Sequence, residues 1–192
     1  LVQPMFYDGS KKRGRYLHGR SHFYAHSSGW SFEVPLLNRT GNGYNFCTNI
    51  TPDVDKIADE FREFIGPRNS DFDEPDLRLI KWNPGYYKQF MVGNCMTFGL
   101  AWGFIDPYAS NNLMATTTML AHILGEHSLE KLRTGLITTD QFRESCNQRG
   151  LNMWSHINDR VQSIFRLTTR EDSHYWRTIK QNGIDNNVKQ HV

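Results

Sequence analysis

Beyond Asn112 the chain returns an apolar side chain every three or four residues and closes each run with a glycine, the pattern of capped amphipathic helices. Leu113, Leu120 and Leu124 form one stripe, ended by Gly125, and Ser128–Arg133 is a shorter segment stopped by Gly135. Thr138 with Gln141 matches a capping box, opening a helix that holds Phe142 and Cys146 and that Gly150 closes. Asn152 then caps a longer helix with Trp154, Ile157, Val161, Ile164 and Phe165 on one face. Residues 174–185 fit either a hairpin around Asn182-Gly183 or a helix continuing to about Lys180.

The N-terminal half has a different period. From Arg15 to Ala25, Leu17, Phe23 and Ala25 occupy odd positions, and Tyr16, His18, Arg20, His22 and Tyr24 occupy even ones, an alternation that predicts a half-buried strand. Residues 30–37 give a second strand, and Gly41-Asn42-Gly43 turns the chain into residues 44–47. Thr51 as cap, Pro52 and Asp53 then start a helix that Gly66-Pro67 stops, with Val54, Ile57, Phe61 and Ile65 as its buried stripe. Together these elements predict an α+β fold, a small antiparallel sheet from the N-terminal half with a mainly helical C-terminal half.

A length of 192 residues suits one domain, and 38% hydrophobic with 13% aromatic residues supplies a core that a disordered chain lacks. Residues 1–14 read as a basic flexible arm and residues 15–192 as a single globular domain. The longest apolar stretch, residues 91–105, is interrupted by glycines and polar residues and is shorter than the roughly 20 residues of a transmembrane helix, so no membrane span is expected. Cys47, Cys95 and Cys146 are an odd number at wide spacing, which favours a reducing compartment, with one bridge plus one free thiol as the alternative. Charge is uneven. Residues 1–30 hold Lys11, Lys12, Arg13, Arg15 and Arg20 against Asp8, a net of +4, whereas residues 51–80 sum to −5.

The segment Gly93-Asn94-Cys95-Met96-Thr97-Phe98-Gly99 reads as a polar turn that delivers a cysteine to the start of an apolar helix. A helix N-terminus lowers a thiol's pKa and offers N–H donors to an oxyanion. Over these ten or so residues the chain resembles the papain-like cysteine hydrolases, a family of proteases, amidases and bacterial-effector deamidases. That resemblance implies Cys95 as nucleophile, His174 as base, Asp185 as its orienter, and Asn94 or Gln89 near the oxyanion. It also implies thiol-dependent hydrolysis or deamidation of a protein or peptide amide without a cofactor, and delivery to a host cytoplasm. The competing reading makes Cys95 a small apolar core residue.

A second reading is non-catalytic. Lys11, Lys12, Arg13, Arg15 and Arg20 suit phosphates, and Tyr16, Tyr24 and Trp30 suit stacked bases, so the N-terminal arm and strand fit RNA or another polyanion. His18, His22 and His26 recur every four residues, but on a strand that interval spans about 13 Å, too far for one metal ion. Phosphate-cradling glycine loops, Cys-x-x-Cys pairs and His-Glu-x-x-His helices are absent from the sequence.

Overall fold

The computed structural model describes residues 1–6, 19–66, 77–125, 128–183 and 189–191. They fall into two compact units, Leu1–Lys81 with Thr169–Gln181, and Trp82–Thr168 with Asn182–Val192. The α+β expectation is met, with an antiparallel sheet in the N-terminal half and helices in the C-terminal half.

The first unit is built on β1 (Val2–Phe6), β2 (His22–Ala25), β3 (Trp30–Pro35) and β4 (Arg39–Asn45), ordered β1-β4-β3-β2 and antiparallel throughout. The sequence groups residues 2–6 with the arm, but they pair along β4 from Val2 opposite Gly43 to Phe6 opposite Arg39. Residues 41–43, expected as a turn, continue β4 instead. Gly43 lies opposite Phe32, and a Cβ there would stand 2.3 Å from the Phe32 ring, so the glycine makes room for an aromatic neighbour. Helix α1 (Val54–Ile65) buries Ile57, Ala58, Phe61 and Ile65 in one cluster with Tyr44. Its cap is Asp53 rather than Thr51, because the Asp53 carboxylate accepts from the Lys56 N–H at 3.0 Å.

One polar network joins this sheet to α1. The Tyr44 hydroxyl donates to Glu60 Oε2 at 2.6 Å, and the Ser27 N–H and hydroxyl donate to Glu60 Oε1 at 3.0 and 2.7 Å. Burial pushes the Glu60 carboxyl up, but these hydrogen bonds outweigh it and leave the group below its usual range.

The second unit begins with β5 (Gly85–Tyr87), β6 (Met91–Val92), β7 (Cys95–Met96) and β8 (Gly103–Phe104). Helices α2 (Asn111–Gly125), α3 (Ser128–Arg133) and α4 (Thr139–Arg166) follow. Helix α5 (His174–Asn182) returns to the first unit, where Trp176 Nε1 donates to the His26 carbonyl at 2.7 Å and Arg170 Nη1, just before the helix, donates to the Ala25 carbonyl at 2.7 Å. Strand β9 (Lys189–His191) lies parallel to β5, which pairs antiparallel with β8 on its other side.

Two helical expectations change. The capping box of Thr138 and Gln141 is present, but α4 runs 28 residues without stopping at Gly150. Gly150 is buried against Trp102, and a Cβ there would lie 2.6 Å from the indole, so this glycine serves packing and not termination. On α2 the buried face is Asn111, Ala115, Met119, His122 and Ile123, leaving the expected stripe of Leu113, Leu120 and Leu124 exposed. Among the described residues no helix is long and apolar enough to cross a membrane.

Candidate functional site

The segment around Cys95 is a hairpin. Gly93 sits at φ 60°, Val92 opposes Cys95 and Met91 opposes Met96, the two-residue loop of a type II′ turn with glycine first. The Thr97 N–H donates back to the Phe90 carbonyl at 2.9 Å, which extends the pairing and occupies an N–H that a helix start would leave free. Gly99, at φ 60°, interrupts any helical continuation. Helix α4 anchors the hairpin. Asn147 accepts from the Met91 N–H at 2.7 Å and donates to the Met91 carbonyl at 3.1 Å, and Arg143 Nε donates to the Gly93 carbonyl at 3.1 Å.

The helix start expected at Cys95 is therefore absent, and with it the dipole and free N–H groups that would activate a thiol. Cys95 is exposed, and its Sγ lies 3.6 Å from Asn94 Oδ1. Asn94 and Gln89 are exposed as well. His174, exposed at the first position of α5, belongs to the first unit and Cys95 to the second; Asp185 lies outside the described residues.

Of the residues read as binding a polyanion, Arg20 and Tyr24 are among the described ones. Arg20 is exposed, while Tyr24 is half-buried, donates to Glu33 at 3.3 Å and meets Phe64 edge-on at 4.8 Å, so its ring packs within the protein. Lys11, Lys12, Arg13 and Arg15 lie outside the described residues. Among the described residues no group of three His, Cys, Asp or Glu side chains is placed to hold a metal ion.

Residues 102–112, among which the sequence offered no candidate site residue, have the most unusual local chemistry. An aromatic cluster backs them: Tyr86 stacks on Trp154 at 5.5 Å, Trp102 meets Trp154 at 5.6 Å, and Phe90 meets Trp102 at 4.7 Å. Trp102 Nε1 donates to the Tyr87 carbonyl at 3.2 Å. Asp106 Oδ1 then accepts from the Tyr108 N–H at 2.8 Å, an Asx turn around Pro107. Burial pushes the Asp106 carboxyl up to about 7 against that hydrogen bond, which works in the opposite direction.

Ala109 and Ser110 follow at φ 54° and 53°, consecutive non-glycine residues in the left-handed region. Such strain persists only where the surroundings over-determine it, and it concentrates at functional sites. Here the surroundings are named. Asn112 Nδ2 donates to the Gly103 carbonyl at 2.6 Å, and the buried Asn111 accepts from Arg160 Nη2 at 3.0 Å, tying both sides of the turn to the rest of the unit. Asp106-Pro107 preceding Asn111-Asn112 is the signal that would have drawn attention to a tight turn before a helix.

A protein-family model described as tryptophan halogenase matches residues 10–192. The chain belongs to the tryptophan halogenase family. The tryptophan 7-halogenase KtzQ of Kutzneria sp. (strain 744) is 28% identical over 156 residues, which cover 80% of this chain and 27% of that relative. The tryptophan halogenase of Shewanella frigidimarina NCIMB 400 superposes with a TM-score of 0.74 at 25% identity, covering 96% of this chain and 34% of its own. Xcc4156, a flavin-dependent halogenase from Xanthomonas campestris, shares the fold with a TM-score of 0.70 at 21% identity, covering 92% of this chain and 32% of its own. This halogenase-family chain thus spans about three-tenths of the length of the relatives it matches.

Family membership over nearly the whole chain overturns both functional readings of the sequence. The papain-like resemblance rested on about ten residues that form a hairpin, so thiol-dependent hydrolysis or deamidation of a protein or peptide is withdrawn. RNA or polyanion binding is withdrawn with it, since the match includes the strand on which that reading placed Arg20 and Tyr24.

Proposed function

We propose that this chain forms part of a flavin-dependent halogenase acting on tryptophan or a related aromatic small molecule, with residues 102–112 as its share of the functional site. The family match across residues 10–192 carries the reading. The left-handed pair Ala109–Ser110 beside an enclosed carboxyl supports placing the site there.

Xcc4156 is flavin-dependent, and the residues of this chain do not fit a flavin dinucleotide's pyrophosphate. No Gly-x-Gly-x-x-Gly run occurs in the sequence, and among the described residues no strand leads through a glycine-rich turn into a helix. No flavin contact is therefore assigned to this chain. Its own residues shape and hold the turn. Asp106 fixes the Tyr108 N–H, Asn112 and Arg160 brace the two sides, and the Trp102–Trp154 cluster excludes water from behind.

Replacing a ring hydrogen by halogen changes both mass and isotope pattern, so the test is direct. The complete protein, supplied with flavin, a flavin reductase and its reductant, a chloride or bromide salt, air and tryptophan, should yield a product with a halogen isotope doublet in mass spectrometry. Absence of halogenated product from tryptophan, indole and tryptophan-containing peptides, under conditions where a known halogenase turns over, would overturn the proposal.

A further inference from the structure

The four-stranded sheet of the first unit buries a largely polar face. A one-sided antiparallel sheet ordinarily turns its apolar side chains inward and its polar ones to water. On β2 the apolar positions Phe23 and Ala25 are the exposed ones, Phe23 at 45%, while His22 and Tyr24 are half-buried. Beside Met5 and Tyr44, the buried face holds Ser31, Thr40, Asn42 and Gln3, at 0, 1, 5 and 8% exposure. Burying such groups is unfavourable unless each finds a partner, so each one left without a partner needs a reason.

Strand register lines these groups up. Gln3 lies opposite Asn42, Asn42 opposite Glu33 and Glu33 opposite His22, one row across β1, β4, β3 and β2. Three members of the row offer acceptors. Gln3 Oε1 is buried with no hydrogen-bond partner among the described residues. Asn42 Nδ2 donates to the Thr40 carbonyl at 3.4 Å, which turns Oδ1 away from that strand. The Glu33 carboxylate accepts from the Tyr24 hydroxyl at 3.3 Å, and among the described residues no cationic side chain pairs with it. The row is closed at Gln3 and opens towards the edge strand β2, where Glu33 and His22 are half-buried.

We infer that this row binds the protonated amine of a small organic molecule, which enters at the β2 edge and sits over Asn42 between Gln3 and Glu33. Strands about 4.8 Å apart place positions 3 and 33 about 10 Å from one another, a gap that two long side chains and a group between them fill. An ammonium group brings only donors and one positive charge, the two things the row lacks. An anion would be repelled by Glu33, and the described residues hold no group of three metal-binding side chains. Binding here does not depend on whether the protein halogenates.

Isothermal titration of the protein with phenethylammonium chloride tests the site, with 3-phenylpropionate and magnesium chloride as the anion and metal arms. Saturable binding of the ammonium is expected, weakened roughly tenfold or more by Glu33→Gln and by Gln3→Leu. Gln3→Glu places a second carboxylate where the unpartnered oxygen stands and should tighten binding, a gain that no loss of structure could produce. Glu144→Gln removes an exposed carboxylate from α4 and should bind as wild type does. Circular dichroism checks each fold; where a Gln3 variant does not fold, the isosteric Glu33→Gln decides. Absence of saturable ammonium binding, an affinity indifferent to both positions, or equal binding of 3-phenylpropionate would each overturn the inference. So would Glu33-dependent binding of magnesium in preference to the ammonium, which would make the occupant a metal ion.

Discussion

At the scale of single residues, Asp106 makes the sharpest claim. Its carboxyl has an ordinary value of 3.8 and is pushed up to about 7 by burial, so folding favours the protonated form. The stability this contributes is complete below the unfolded value of 3.8 and is lost as pH rises through about 7. The full swing is roughly 4 kcal/mol as an upper bound. Asp106→Asn keeps the acceptor for the Tyr108 N–H and carries no charge. It should flatten this slope and unfold later in urea than wild type at about pH 8, with little difference at about pH 4. An unchanged slope would locate the pH dependence elsewhere. Asp106-Pro107 before Asn111-Asn112 marks a tight turn in the sequence, but the carboxyl's burial was not legible there, because it is a property of the packing around the turn. Cys95 failed for a related reason. A Gly-Asn pair before an apolar run suits a helix start and a hairpin turn equally, and the pairing of Thr97 with Phe90 decides between them.

For whole elements, periodicity located the helices better than it assigned their faces. It placed α1, with Ile57, Phe61 and Ile65 inward, because the acidic and basic residues of that helix leave one side for the core. On α2 there are no charges to mark the wet side, and the leucines read as core are the exposed ones. Gly150 shows the limit of reading glycine as a stop signal, since it is buried in the middle of α4. Elsewhere in a helix, replacing glycine with alanine gains about 1 kcal/mol. Here the new methyl would stand 2.6 Å from Trp102 Cζ2 and 3.3 Å from Phe90 Cβ, both side chains fully buried. Overpacking of that kind costs about 1–3 kcal/mol, so Gly150→Ala should lower the thermal midpoint and disturb the near-ultraviolet tryptophan signal. A raised midpoint would mean that α4 and Trp102 are not in close contact.

Across the whole molecule, the α+β division was legible because it follows from two hydrophobic periods, one in each half. Halogenase membership was not, and it came from a family match that extends over residues 10–192. The two compact units add a consequence that composition would not suggest, since their perturbed carboxyls respond to pH in opposite senses. Glu60 in the first unit is held below its ordinary 4.5 once its hydrogen bonds outweigh burial, so its contribution is present above 4.5 and is lost as pH falls through the folded value. Asp106 in the second unit loses its contribution as pH rises toward about 7. Lowering the pH from about 7 toward about 4.5 should therefore increase amide protection at Trp154 and Ile157 in α4 while leaving Ile57 and Phe61 in α1 level. Further acidification should reduce protection in α1. Hydrogen exchange corrected for intrinsic rates measures both sites in one sample. Protection that moved together at all four amides would show the chain opening as a single cooperative body, and the separate responses would then be lost in one global transition.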